Sequence, residues 1–263
     1  MKKILSVFFV ACLFVACGDE DQPQVPQKAA PKDIVFTAGV KSRTVLGADN
    51  SVSWKAGDAI LVYNGPDASG TDNVATSTAA TTGATTTFSV RIVEKEATDD
   101  YYAVSPASAA TSIAGGVVSA VIPASQTPVS GTFDPSAVVA VAKTAGTNFT
   151  FMNAVGLLKF SVTHACGKIV FSAPNIAGGV TISDITASDS PTVTGGTSNA
   201  VTMTGSFVPG ETYYAAICPG TYAQIEIAAY TLVTDVSPCR TTTRDAVALT
   251  CAQIHNVGVL LTI

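Results

Sequence analysis

The chain of 263 residues has a formal net charge of −5 at pH 7, is 47% hydrophobic and is only 13% charged. That supplies apolar side chains for one large core or two ordinary ones and excludes an intrinsically disordered protein. An acidic balance with no concentrated basic patch excludes nucleic acid and anionic lipid surfaces as partners.

Lys2 and Lys3 precede an uncharged run over residues 4–16. The run is too short to cross a bilayer as a mature helix and has the length of a signal-peptide core, so residues 1–16 read as a lipoprotein signal peptide. In "FVAC", small Ala16 precedes Cys17, the position at which a lipoprotein signal is cleaved and its cysteine diacylated. The same tetrapeptide ends at Cys12, but cleavage there leaves an apolar stub, so Cys17 is the better lipidation candidate. The simpler alternative is an ordinary secretory signal with an incidental cysteine; both readings export the chain. Residues 17–32 hold Asp19, Glu20 and Asp21 and then "QPQVPQKAAPK", an acidic and Pro-rich tether with no apolar period. No later apolar run approaches the roughly 18 residues of a membrane helix, so the lipid is expected to be the only anchor.

The body is expected to start near Asp33. Runs dense in Val, Ile, Thr, Phe and Tyr then alternate with Gly, Asn, Asp and Pro clusters, the pattern of many antiparallel strands. Strands are predicted over 34–40, 59–63, 85–93, 101–106, 157–164, 168–173, 200–207, 213–219 and 225–232. "AVVAVAK" (137–143) reads as a buried strand or a helical turn, and the Thr, Ala and Gly-rich stretch 68–87 as a long surface loop. "DDYYAVSP" (99–106) and "ETYYAAICP" (211–219) echo one another, which two similarly built units explain. The predicted fold is all-β with sandwich spacing, divided into an N-terminal sandwich over 33–155 and a C-terminal one over 156–263.

Reaction machinery is sparse. There is no "GxSxG", "GxxxxGK", "HExxH" or "GxGxxG", and the two histidines, His164 and His255, have no recognisable partner pattern. Glu94, Glu96, Asp99 and Asp100 around Lys95 read as a solvated hairpin tip rather than a catalytic pair. "NGPDASGTDN" (64–73) has oxygen ligands but not the spacing of a calcium loop, and turn chemistry accounts for it. Cys166, Cys218, Cys239 and Cys251 permit a disulfide in an exported chain, with the pairing open. "CAQIH" and "HAC" imitate zinc-ligand spacing poorly, so no metal and no cofactor is expected.

Five pieces in order resemble the fimbrillin-like family of Bacteroidetes surface lipoproteins: "VFTAGVKSRTVLG" (35–47), "VSWKAGDAILVY" (52–63), "FTFMNAVGLLKFSV" (149–162), "YYAAICPGTY" (213–222) and "HNVGVL" (255–260). The resemblance covers the whole mature body and is weakest in the cysteine-containing second half. It implies two tandem transthyretin-like, Greek-key β-sandwiches and, for members that are pilins, a fimbrium built by strand exchange. In those pilins a trypsin-like protease cuts after a basic residue beyond the first strand, and a neighbour's terminal strand fills the vacated groove. Carried onto this chain, the removable strand is 34–40 and the cut follows Arg43, with Lys41 as second candidate; Arg43 has an equal reading as a structural turn. The acidic cluster behind Cys17 resembles the signal that sends such lipoproteins to the outer face of the outer membrane. Trp54 and Phe151 are expected to anchor the N-terminal core, Gly57 and Asp58 to form the turn after Trp54, and "VGVLLTI" (257–263) to be a closing strand or the donor.

The resulting expectation is a non-enzymatic surface lipoprotein held by a palmitate-type anchor. It would be a pilus subunit or accessory component in cell adhesion, partnered by other subunits or by itself and by a host or bacterial surface ligand. The alternative is a non-polymerising surface lipoprotein that binds glycan or host protein.

Overall fold

The computed structural model describes residues 29–40 and 53–260. The first half contributes β1 (Lys32–Val40), β2 (Ala59–Tyr63), β3 (Val74–Thr78), β4 (Thr85–Ile92), β5 (Tyr101–Ser105), β6 (Ala110–Ala114), β7 (Val117–Ile122), β8 (Ser125–Gln126), β9 (Ala140–Thr144) and β10 (Asn148–Asn153). Alternation drives these elements: along β4 every second side chain, Thr86, Phe88, Val90 and Ile92, is buried, and the residues between them are exposed. Seven strands join in the order β3-β2-β5-β9-β10-β1-β4. The ends of that order return to each other, with Ala80 N donating to Thr87 O (3.1 Å) and Ser77 Oγ to Ser89 O (2.7 Å). The sheet thus curls around one core, where Trp54 packs edge-on to both Phe88 and Phe151 at 5.2 and 5.1 Å.

The second half contributes β11 (Gly156–Val162), β12 (Cys166–Ser183), β13 (Thr192–Gly195), β14 (Ser198–Phe207), β15 (Thr212–Ile217), β16 (Gly220–Tyr230), β17 (Arg240–Leu249) and β18 (Ile254–Leu260). A three-stranded sheet, β15-β11-β18, faces a larger one whose main path is β17-β16-β12-β14-β8. Between them Phe160, Phe171, Phe207 and Tyr213 form a ring cluster with centroids 5.0 to 6.0 Å apart. The architecture is all-β, built of β-sandwiches.

The chain passes from the first sheet to the second set between β10 and β11, but residues 110–126 pair across that point. β7 runs antiparallel to β12 from Gly178↔Ile122 to Ile182↔Val118, and β8 runs parallel to β14. A third core lies at this waist, drawing Val104, Val118, Ile122, Val155, Leu157 and Ile182 from both halves. The echoed Tyr pairs explain themselves here. Tyr101 and Tyr213 each enter their own half's core, while Tyr102 and Tyr214, one residue on and therefore on the opposite strand face, both enter the shared one.

Gln126, 3% exposed, stands in for a strand on the outer edge of β15. Its Nε2 donates to Ala216 O (2.6 Å) and its Oε1 accepts from Ala216 N (2.9 Å). Beside it, Gly131 N donates to Thr212 O (2.8 Å), so the edge that would otherwise invite pairing is covered.

Two sequence expectations are corrected. The stretch 68–87 is not one surface loop: β3 lies within it and pairs with β2 from Ala59↔Thr78 to Tyr63↔Val74, its small side chains at the rim needing little burial. The strand expected over 168–173 is part of 18-residue β12, which changes partners midway. Its first part pairs with β14 and β16, its last with β7 and β13, and the register shifts between Ser172 and Ala177. "APNIAGG" is a bend inside the strand, with Asn175 at φ 58° and Gly196 packed so closely that an added Cβ would lie 2.2 Å from Asn175 O. "AVVAVAK" divides: Ala137 ends a turn, and only from Ala140 does the stretch become strand, at β9.

Replacing Gln126 by Leu orphans both polar groups of Ala216 and is expected to lower unfolding free energy by about 3 kcal/mol in urea titrations. The buried Tyr63 hydroxyl has no hydrogen-bond partner among the described residues. Tyr63→Phe is therefore expected to leave the melting temperature unchanged or raise it, whereas a lost hydrogen bond would lower it.

Candidate functional site

β1 is an interior strand. It pairs antiparallel with β4 from Lys32↔Ile92 to Gly39↔Thr85 and parallel with β10 from Thr37↔Asn148 to Val40↔Phe151. Phe36 and Ala38 are fully buried, and Val35, on the other face, is 57% exposed. The Phe36 ring stacks on Phe149 at 4.9 Å and meets Tyr101 edge-on at 5.0 Å. Ion pairs at its start, Lys32 with Glu94 and Asp33 with Arg91, are exposed and contribute little. Taking β1 away would leave two unpaired strand edges facing each other across a hole lined by Phe149, Tyr101 and Phe88: a groove shaped for another strand.

The described chain leaves β1 at Val40, opposite Phe151, and returns at Ser53 just before Trp54, which packs on the same Phe151. Lys41 and Arg43, the processing candidates, fall between and lie outside the described residues, as do Cys17 and residues 1–16. Trp54 and Phe151 meet in the core as the sequence indicated. Gly57 adopts φ +93°, and the Asp58 carboxylate accepts from Lys55 N at 2.8 Å, closing the expected turn.

At the other end, β18 lies parallel to β11, burying Val257 and Leu260. Its outer edge is blunted by a bulge at Gly258 and by Arg244, whose Nε donates to Val257 O at 2.8 Å. Residues 257–260 thus serve as a closing strand in this structure; residues 261–263 lie outside the described ones.

The acidic side chains around Lys95 disperse: Glu94 pairs with Lys32, and Asp100 with Lys143 at 3.1 Å. In 64–73 the side chains serve the turn, Asn64 Nδ2 donating to Asn73 Oδ1 (3.1 Å) and Asp67 Oδ1 accepting from Gly115 N (2.6 Å). His164 lies just past the end of β11 and His255 opposite its start, so they share no site. Among the described residues no three of His, Cys, Asp and Glu gather as metal ligands.

Cys166, Cys218, Cys239 and Cys251 carry free thiols. Burial pushes Cys218 up to about 12 and Cys251 up to about 11. Cys166 rises to about 11 through burial, with a smaller contribution from nearby Cys239. A native thiol that holds its proton above the ordinary value of 9.0 stabilises the fold below that pH, and the contribution is lost as pH rises through the native value. Urea midpoints are expected to fall between pH 9 and about 12, and Cys218→Ala to flatten that decline.

No family model matches the chain, and no curated protein matches it. Among solved structures it is similar to a candidate cell adhesion protein from Bacteroides uniformis ATCC 8492. That match has 15% identity over 87% of this chain and 93% of the other, with a TM-score of 0.50. The likeness shows a shared fold. A second candidate cell adhesion protein, from Bacteroides ovatus ATCC 8483, gives 16% identity over 87% and 92% with a TM-score of 0.47. A shaft pilin from Lactobacillus rhamnosus GG gives 12% over 88% and 97% with a TM-score of 0.31. At those two scores the overlap carries no structural argument.

Proposed function

We propose that this chain is a cell-surface lipoprotein of the fimbrillin type, lipidated at Cys17 and serving as a fimbrial subunit or accessory component in adhesion. It assembles by exchange of β1. The observation that carries the reading is the position of β1: a first strand bonded on both sides and filling a core with Phe36 and Ala38, followed directly by a segment with Lys41 and Arg43. A cut in that segment severs β1 from the body without removing it, because its pairing and burial are untouched. Burying Phe36 alone is worth about 2 kcal/mol. Exchange then requires an incoming strand that restores the same contacts, which makes assembly slow and templated. The role is structural and needs no catalysis, and the fold shared with a candidate cell adhesion protein supports it.

The test is limited trypsin digestion of the exported chain, with mass spectrometry of the cut and native sizing before and after gentle denaturant. A single cut after Arg43 or Lys41 is expected, with the nicked chain still monomeric in buffer. Stripping of β1 should then yield concentration-dependent ladders, absent from a Lys41→Gln, Arg43→Gln double variant. A stripped chain that stays monomeric would reject strand exchange.

A further inference from the structure

A cleft of about 580 Å³ opens at the waist, where the start of β2, the end of β5, the segment before β9 and the end of β10 meet. That is the size of a small-molecule site. One wall is Trp54 and the turn after it. Trp54 exchanges backbone hydrogen bonds with Gly83 at 2.8 and 2.9 Å, and Gly57 N donates to Ala79 O at 3.0 Å. The facing wall, 132–136, is fixed by Asp134, only 9% exposed. Its carboxylate accepts from Thr127 N (2.8 Å), Ser136 N (2.9 Å) and Ser136 Oγ (2.6 Å). Walls held before a ligand arrives cost little ordering entropy on binding.

The lining is chemically mixed. Trp54, Phe133, Pro106 and Pro135 give apolar surface, Ser53, Ser105 and Thr132 give hydroxyls, and the single Lys55 is offset by the single Asp58. The Trp54 ring forms the floor of the cleft from a residue 95% buried, its indole N–H closed off from the opening, so the polar groups that face a ligand are the hydroxyls. We propose that this cleft binds a neutral saccharide unit, its C–H faces on the Phe133, Pro106 and Pro135 rings and its oxygens among the hydroxyls. An anionic ligand would call for several cations or a guanidinium fork, and the cleft has one lysine matched by a carboxylate. A purely apolar ligand would bury the hydroxyls without partners. The site exists with β1 in place, so it is independent of polymerisation.

Trp54 is the single tryptophan of the chain, so its emission reports on the cleft directly. The exported chain is titrated with lactose, maltose, mannobiose and N,N′-diacetylchitobiose, with glucose 6-phosphate and octanoate as controls. A saturable emission change with at least one neutral sugar is expected. Ser136→Phe should weaken it at least about tenfold by filling the cleft from an exposed position, while Asp134 keeps its backbone donors. Phe133→Ala, which removes the accessible ring of the cleft and leaves Trp54 to report, should weaken binding to a similar degree. Flat emission with all four sugars, a response that Ser136→Phe leaves unchanged, or a response to the phosphate or octanoate alone would overturn the proposal.

Discussion

Phe36 lies against Phe149 and edge-on to Tyr101, on a strand hydrogen-bonded along both sides, and the first half of the molecule depends on that insertion. A strand at a sheet's edge can fray with little consequence elsewhere. One in the interior holds its neighbours in register, and here it holds β4 to β10 and so the closed curl of the whole sheet. The same residues that make β1 necessary make its slot specific. A replacement strand must present a large ring at the Phe36 position and a small residue at Ala38, and must run parallel to β10 and antiparallel to β4.

The waist sets the second constraint. Because β6, β7 and β8 pair on the side of the second half while β5 and β9, before and after them in the chain, belong to the first sheet, the two sandwiches share a core instead of meeting at a thin interface. Tyr102 and Tyr214 enter that core from opposite sides, and Gln126 ties the first half to the edge of β15. Independent hinging of the halves would expose this apolar surface, so the shared core opposes it. The waist cleft inherits its rigidity from the same source, its walls being pinned by backbone bonds and by Asp134.

Much of this was legible in the residues. Alternating Val, Ile, Phe and Thr gave most of the strands of both cores, because burial with period two leaves a direct mark on sequence; β17, whose first residues are polar and exposed, was not among them. Trp54, Gly57 and Asp58 announced a packed ring and a turn through side-chain size and backbone permissiveness. β3 escaped notice because Val74–Thr78 at the rim buries little, and the second part of β12 because a bend at Asn175 looks, locally, like the end of a strand. The cleft left no motif at all. Trp54, Pro106, Phe133 and Asn153 are far apart in the chain and come together only when four segments converge.

By itself the sequence determined an acidic, all-β chain with its aromatic anchors and tight turns, since those follow from local periodicity and composition. Which strand lies beside which was decided by tertiary structure alone. Backbone hydrogen bonds carry no residue code, so the interior position of β1, the crossing of β7 into the second half, the strand mimicry of Gln126 and the neutral cleft at the waist emerge only when distant segments compete to bury their apolar faces together.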